Sequence, residues 1–242
     1  GDYLGSTVHM IPHVTDELKE FLGSDLSDED FVLYEVGGTV GDIEGTLFLE
    51  AIRQFMNEKG RRNCCVVYLT LLPYIPSAGE LKTKPTQQAV KKLLETGIQA
   101  DVLLCRSRMT IGEEEARKLA LFCNVPPNNV VTALDVNNIY ELPISYHEQG
   151  LDSSVLEHFD MSSDVDLSSW VTITNKMANL KNYVRIAVVG KYCQLPDTYK
   201  SLREALVHAG TALDTKVDID WVDSDSLEGK TKGLVADKLK NY

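Results

Sequence analysis

Short apolar runs alternate with helix-period apolar stripes four times between Phe31 and Leu134, and that alternation restricts the chain to few folds. Phe31-Val32-Leu33-Tyr34 runs into Glu35 and Gly37-Gly38, which predicts a buried strand and a turn. Leu47, Phe48, Ala51, Ile52, Phe55 and Met56 recur at helical spacing, and Gly60 closes the stripe. Cys64 to Leu72 predicts a second buried strand, ended by Pro73. Pro85 opens a helix with Ala89, Val90, Leu93 and Leu94 inward and Gly97 after it. Val102 to Cys105 reads as a third strand. Glu113-Glu114-Glu115 then charges the first turn of a helix, and Val130 to Leu134 reads as a fourth strand. Four β-then-α units in a row predict an α/β fold, a parallel Rossmann-like sheet with helices on both faces.

After residue 150 the pattern changes. Ser153-Ser154 and Ser162-Ser163 flank acidic patches, and Trp170, Ile173, Met177 and Leu180 suit one amphipathic helix. Residues 151–182 are therefore expected to connect a domain over 1–150 to a second α/β domain over 183–242. That second domain opens on the strand Arg185 to Gly190. Pro196 and Asp197 precede a helix with Leu202, Ala205, Leu206 and Ala209, capped by Gly210. Val217 to Val222 alternates like a strand. Sixty residues are too few for a doubly wound domain of roughly 100–150. With Gly1 in place of Met, the chain is expected to be a piece of a longer one.

Composition excludes some partners. The 24 basic and 36 acidic residues leave a net charge of −12, with no long Lys/Arg cluster, which argues against nucleic acid or an anionic membrane. A few placed cations and amides still suffice to hold an anion locally. No stretch is apolar enough to span a bilayer. Cys64, Cys65, Cys105, Cys123 and Cys193 fit no zinc spacing and read as reduced thiols of a cytoplasmic protein. His9, His13, His147, His158 and His208 show no metal spacing and read as structural or surface residues.

In an open parallel sheet, ligands bind beyond the carboxyl ends of the strands. The predicted strands bring Glu35, the loop Pro73 to Gln87, Arg106 and Asp135 there. Glu35 reads either as a Mg²⁺ ligand facing phosphates or as an acid capping the next turn. The glycines in Gly37-Gly38-Thr39-Val40-Gly41-Asp42-Ile43-Glu44 permit close backbone approach to a ligand, but no P-loop Gly-Lys-Ser/Thr follows. Composition alone favours Asp42 and Glu44 as first-turn acids. Lys82-Thr83-Lys84-Pro85-Thr86-Gln87 sets two ammonium groups at a helix start, where the dipole disfavours them unless an anion is bound; solvated lysines are the alternative. Lys118, mid-helix, reads from pattern as a solvated lysine.

Several longer motifs stand in fixed order. Gly1-Asp2-Tyr3-Leu4-Gly5-Ser6-Thr7-Val8 and Ile11-Pro12-His13-Val14-Thr15 come first, then Glu35-Val36-Gly37-Gly38-Thr39-Val40-Gly41-Asp42-Ile43-Glu44. Gly79-Glu80-Leu81-Lys82-Thr83-Lys84-Pro85-Thr86-Gln87, Leu104-Cys105-Arg106-Ser107, Leu121-Phe122-Cys123-Asn124-Val125 and Asp135-Val136 with Ile139-Tyr140 follow. Together they resemble the CTP synthase family, and Ile186 to Tyr192 with Leu195-Pro196-Asp197 and Tyr199-Lys200-Ser201 resembles the opening of its glutaminase domain.

The resemblance implies a P-loop NTPase-like amidoligase domain followed by the truncated start of a class I glutamine amidotransferase domain. It implies a carbon–nitrogen ligase in which ATP phosphorylates O4 of UTP and glutamine-derived ammonia displaces phosphate to give CTP. The implied cofactors are Mg²⁺ and ATP as co-substrate, with GTP as allosteric activator of the full-length enzymes. The implied partners are UTP, glutamine or ammonia, CTP as feedback inhibitor, and further copies in a homodimer or homotetramer. On matching positions Glu35 is implied as the metal ligand, with Arg106, Lys82 and Lys84 catalytic. Asp42, Ile43, Glu44, Lys82, Thr83, Lys84, Pro85, Thr86, Gln87 and Lys118 are implied at UTP and CTP. Leu134, Asp135 and Val136 are implied at ATP, and Glu50 and Arg53 at the inhibitory pocket and subunit interface. The family's P-loop and first Mg²⁺-binding Asp are expected upstream of Gly1. Thr46-Leu47 and Leu134 depart from the family pattern. The alternative is a non-catalytic UTP- or CTP-binding regulatory or assembly module. The run Lys82 to Gln87 argues against a dethiobiotin- or cobyrinate-type ligase.

Overall fold

The structure is a computed structural model that describes residues 3–24, 29–136, 138–195, 197–240 and 242. Gly1 and Asp2 of the opening motif, and Pro196 before the expected helix, lie outside the described residues. The chain forms two compact units, residues 1–137 with 144–165, and residues 138–143 with 166–242.

The first unit runs α1 (Thr15–Gly23), α2 (Thr46–Lys59), β1 (Val67–Leu71), β2 (Tyr74–Ile75), β3 (Glu80–Leu81), α3 (Lys84–Glu95), β4 (Val102–Ser107), α4 (Glu113–Cys123) and β5 (Val130–Leu134). Helices α5 (Leu142–Glu148) and α6 (Leu151–His158) follow. Strands β1, β4 and β5 form a parallel sheet in the order β1-β4-β5. Leu71 pairs with Arg106, and Ser107 with Leu134, so all three strands end along one edge. Each parallel pairing needs a crossover, which α3 and α4 supply. Strand β4 is central, with Val102, Leu103 and Cys105 fully buried. Leu72, Val90, Leu93, Leu119 and Cys123 close over it. Burying each such leucine stabilises the fold by about 1.5–3 kcal/mol. The same burial pushes the Cys105 thiol up to about 12 and that of Cys123 up to about 11, so both remain protonated.

Among the described residues three parallel strands form here where four were expected. Phe31 to Tyr34 is not a strand, and Leu33 is 94% exposed. A strand needs a neighbour to bond its N–H and C=O groups, and an apolar run does not itself supply one. Side chains hold this segment instead. Tyr34 donates its hydroxyl to the Leu22 carbonyl and meets Phe55 edge-on at 6.2 Å, and Phe31 meets Phe159 at 5.5 Å. Strand β1, expected to be buried, leaves Val67, Leu69 and Leu71 exposed; these alternate residues share one face of the strand, and that face is left open among the described residues. Phe48 of α2 and Leu94 of α3 also face outward rather than into the core. Gly60 and Gly97 end their helices at φ +87° and +83°, as the helix-stop reading requires.

The second unit holds α7 (Ser168–Ala178), β6 (Asn182–Gly190), α8 (Lys200–Ala212), β7 (Thr215–Asp223) and α9 (Lys232–Leu239). Strands β6 and β7 are parallel from Asn182↔Thr215 to Gly190↔Asp223, joined by α8. Helix α7 carries Trp170, Ile173 and Met177 but stops before Leu180. Gly210 does not cap α8; it lies inside it. A Cβ there would fall 2.5 Å from the Thr215 carbonyl oxygen, so the glycine serves close approach of helix to strand. Among the described residues no helix is long and apolar enough to cross a membrane.

Candidate functional site

The carboxyl edge of the first unit's sheet gathers charged groups from separate parts of the sequence. At the end of β1 the chain turns through the β2–β3 hairpin, where Tyr74 pairs with Leu81 and Ile75 with Glu80. The Lys82 N–H closes the loop on the Pro73 carbonyl at 2.9 Å. Helix α3 then starts at Lys84 with Pro85 in its first turn, where a missing N–H costs nothing. Thr86 is fully buried and donates its hydroxyl to the Leu71 carbonyl at 3.0 Å, which fixes the helix start to the strand end. Thr83 is buried as well and accepts from Gln87 Nε2 at 3.2 Å. Both threonines, expected at a ligand, spend these contacts on holding the run, while Lys82 pairs with Glu80 and Lys84 is exposed.

Glu80 is a member of this cluster that sequence reasoning left out. Its carboxyl is held below the usual range, first by the hydrogen bond and charge of Lys82 and further by the charge of Lys118. Lys118 lies mid-way along α4, distant in sequence. Glu80 thus pairs with Lys82 and also feels the positive charge of Lys118. Across the same edge Arg106, leaving β4, binds Asp135, just past β5, through Nε and Oδ1 at 3.0 Å. Tyr146 is a second omission: burial raises its hydroxyl, and the nearby positive charge of Arg106 partly opposes that. Ser107 accepts the Met109 N–H at 3.2 Å and Thr132 accepts the Ile111 N–H at 3.3 Å, which orders the loop between them. Leu134 is half-buried and Asp135 exposed; Val136 follows, half-buried.

The glycine-rich run takes a different place. Gly38 and Gly41 have φ of +92° and +105°, a region that favours glycine. Asp42 donates its N–H to the Thr39 carbonyl at 3.0 Å and precedes a short 3₁₀ turn, Ile43–Gly45, with Ile43 89% exposed. A Cβ on Gly41 would lie 3.7 Å from Lys92 Cδ. Lys92 is about 12 Å along α3 from Lys84, at 1.5 Å per residue. Arg53 packs over Gly97 just past the same helix end, and holds Glu50 through Nε and Nη2 at 2.9 and 2.7 Å. Arg53, with help from Gln54, lowers the Glu50 carboxyl to about 2. Asp42 thus groups with the far end of α3 rather than with Lys82 and Lys84. Glu35 follows the segment Phe31 to Tyr34, is exposed, and makes no ion pair among the described residues.

Residues 1–161 match the family model described as CTP synthase N-terminus. The chain belongs to this family. It is 57% identical to a CTP synthase from Azospirillum brasilense over 96% of this chain and 43% of that protein. It is 59% identical to one from Rhodospirillum rubrum over 94% and 42%, and 53% identical to one from Gluconobacter oxydans over 100% and 44%. The chain therefore spans less than half the length of these CTP synthases.

Proposed function

We propose that this chain is the UTP-holding part of a CTP synthase, a ligase that uses ATP and glutamine-derived ammonia to convert UTP to CTP. Its first unit belongs to a P-loop NTPase-like amidoligase domain, and residues 183–242 begin a class I glutamine amidotransferase domain. The observation that carries this reading is the run Lys82–Gln87, clamped to the end of β1 by Thr86 and presenting two lysines beside Lys118 at the sheet edge where such folds bind ligands.

In the reaction the UTP ring oxygen O4 attacks the terminal phosphorus of ATP and ADP leaves; ammonia then adds at C4 and gives up a proton as phosphate leaves. Phosphate is a far better leaving group than hydroxide at that carbon. The chain's own residues bind and orient. Lys82, Lys84 and Lys118 neutralise the triphosphate of UTP, and the free N–H groups at the start of α3 add to that field. Arg106, aligned by Asp135, steadies charge on the transferred phosphoryl group, and Leu134 to Val136 meet ATP. Glu35 fits as one Mg²⁺ donor, because that ion takes one or two carboxylates and completes its shell with water and phosphate oxygens. Mg²⁺, when bound, supplies neutralisation of the phosphates. Asp42, Ile43 and Glu44 come to the UTP site from a second copy in a dimer or tetramer, which accounts for their separation from Lys84 within one chain. CTP as inhibitor shares the lysines, Glu50 and Arg53 border its pocket and the interface, and GTP acts on the full-length enzyme.

Amine labelling tests this reading. UTP with Mg²⁺ is expected to slow acetylation of Lys82, Lys84 and Lys118 and to leave Lys19 on α1 unaffected. Equal labelling with and without UTP contradicts it.

A further inference from the structure

Three side chains with metal-binding atoms meet at the opposite, amino edge of the same sheet, away from the lysine cluster. Cys65 precedes β1, Asp101 immediately precedes β4, and His158 is the last residue of α6. One ligand atom from each lies within 4.8 Å of the others, and all three residues are half-buried. Spacings of 36 and 57 residues are invisible to any sequence motif; the fold alone assembles them.

The histidine is the decisive member. His158 Nε2 is buried and has no hydrogen-bond partner. Its Nδ1 stands 3.6 Å from Asp101 Oδ1, beyond hydrogen-bond reach. Neither ring nitrogen is satisfied by the protein among the described residues, although buried polar groups nearly always are. Asp101 is firmly placed. Its Oδ2 accepts the Val66 N–H at 2.7 Å, its Oδ1 accepts from Arg61 Nη2 at 2.7 Å, and its carbonyl accepts from Asn129 Nδ2 at 2.8 Å. Each carboxylate oxygen keeps a second lone pair, so Arg61 does not exhaust Oδ1. Burial and the Asp101 charge hold the Cys65 thiol up to about 11, so without a metal it stays protonated.

We infer that Cys65, Asp101 and His158 form a binding site for a borderline-soft divalent cation of the Zn²⁺ type. A thiolate, an imidazole and a carboxylate are the donors that suit Zn²⁺, and they do not suit Mg²⁺ or Ca²⁺. Tetrahedral coordination places such donors about 3.3–3.8 Å apart; His158 Nδ1 and Asp101 Oδ1 at 3.6 Å already meet that spacing, and no pair in the cluster exceeds 4.8 Å. On binding, the Cys65 Sγ–H bond breaks, its proton passes to solvent, and the sulfur lone pair bonds the metal. Thiolate and carboxylate then balance the 2+ charge, and Arg61 remains on the outer face of Asp101. Water takes the fourth position. The ion would clip the starts of β1 and β4 to the end of α6, independently of nucleotide.

Co²⁺ titration of the protein tests the site, since a thiolate ligand gives a sulfur-to-cobalt charge-transfer band in the near ultraviolet. The band is expected in the parent protein and in Cys64→Ser, and absent in Cys65→Ser. Zn²⁺ affinity by calorimetry is expected to fall at least about tenfold in Cys65→Ser and in His158→Gln, with circular dichroism unchanged. If Cys65→Ser does not fold, His158→Gln decides. No thiolate band, a band that survives in Cys65→Ser, or Zn²⁺ affinity unchanged in His158→Gln means adventitious binding only and overturns the proposal.

Discussion

Arg106 and Asp135 leave neighbouring parallel strands at the same end of the sheet, and their side chains meet at 3.0 Å in solvent. With 67% and 53% of those side chains exposed, the pair contributes little to stability. Asp135→Asn is expected to change unfolding free energy in urea by less than about 1 kcal/mol. The same substitution is expected to weaken ATP binding severalfold in the full-length enzyme, because Arg106 loses its orienting partner. A large stability loss with intact ATP binding would assign the pair to the fold instead.

Thr86→Val keeps the shape of the side chain and removes the hydroxyl that the Leu71 carbonyl accepts. The carbonyl is then left unsatisfied beside a fully buried side chain, at a cost of about 1–3 kcal/mol. Urea unfolding monitored by circular dichroism reads this directly, and an unchanged midpoint would contradict the clamp between β1 and α3.

Glu50 provides a pH prediction. Its carboxyl is lowered from 4.5 to about 2 by Arg53 and Gln54. A lowered folded-state value means that the contribution is fully present above about pH 4.5 and is lost as pH falls toward 2. Partial exposure limits that contribution to about 1 kcal/mol. Glu50→Gln is therefore expected to be about that much less stable than the parent at pH 7, with the difference closing by pH 2–3. A difference independent of pH contradicts the pairing.

Gly210→Ala tests the helix–strand contact of the second unit. The added Cβ meets the Thr215 carbonyl oxygen at 2.5 Å and Val217 Cγ2 at 2.6 Å, and backbone does not yield easily. Overpacking of this kind costs about 1–3 kcal/mol. Thermal unfolding checks it; a gain in stability, as expected for Gly→Ala in an open helix, would show that α8 can move away.

The legible part of this fold is the part that local pattern determines. Val130 to Leu134 reads as a strand and is one, because a β-branched run buried in a parallel sheet has no other good home. Phe31 to Tyr34 has the same apolar character, but a strand also needs an edge to pair with, and no residue count encodes that. Gly210 reads as a stop because glycine often ends helices, yet only the position of Thr215 reveals its packing role. In the candidate site, the clustering of Lys82 with Lys84 follows from adjacency in sequence. The approach of Lys118 to Glu80, of Tyr146 to Arg106, and of His158 to Cys65 depends on how α4, α5 and α6 pack, which periodicity does not specify.

In the proposed function the lysines at the start of α3 hold the triphosphate of UTP. Calorimetric titration of UTP with Mg²⁺ into the full-length enzyme, parent against Lys84→Ala, measures this most directly. A desolvated charge contact to phosphate is worth about 1.5–3 kcal/mol, so affinity is expected to fall at least about tenfold. Equal affinities in the two proteins would contradict it.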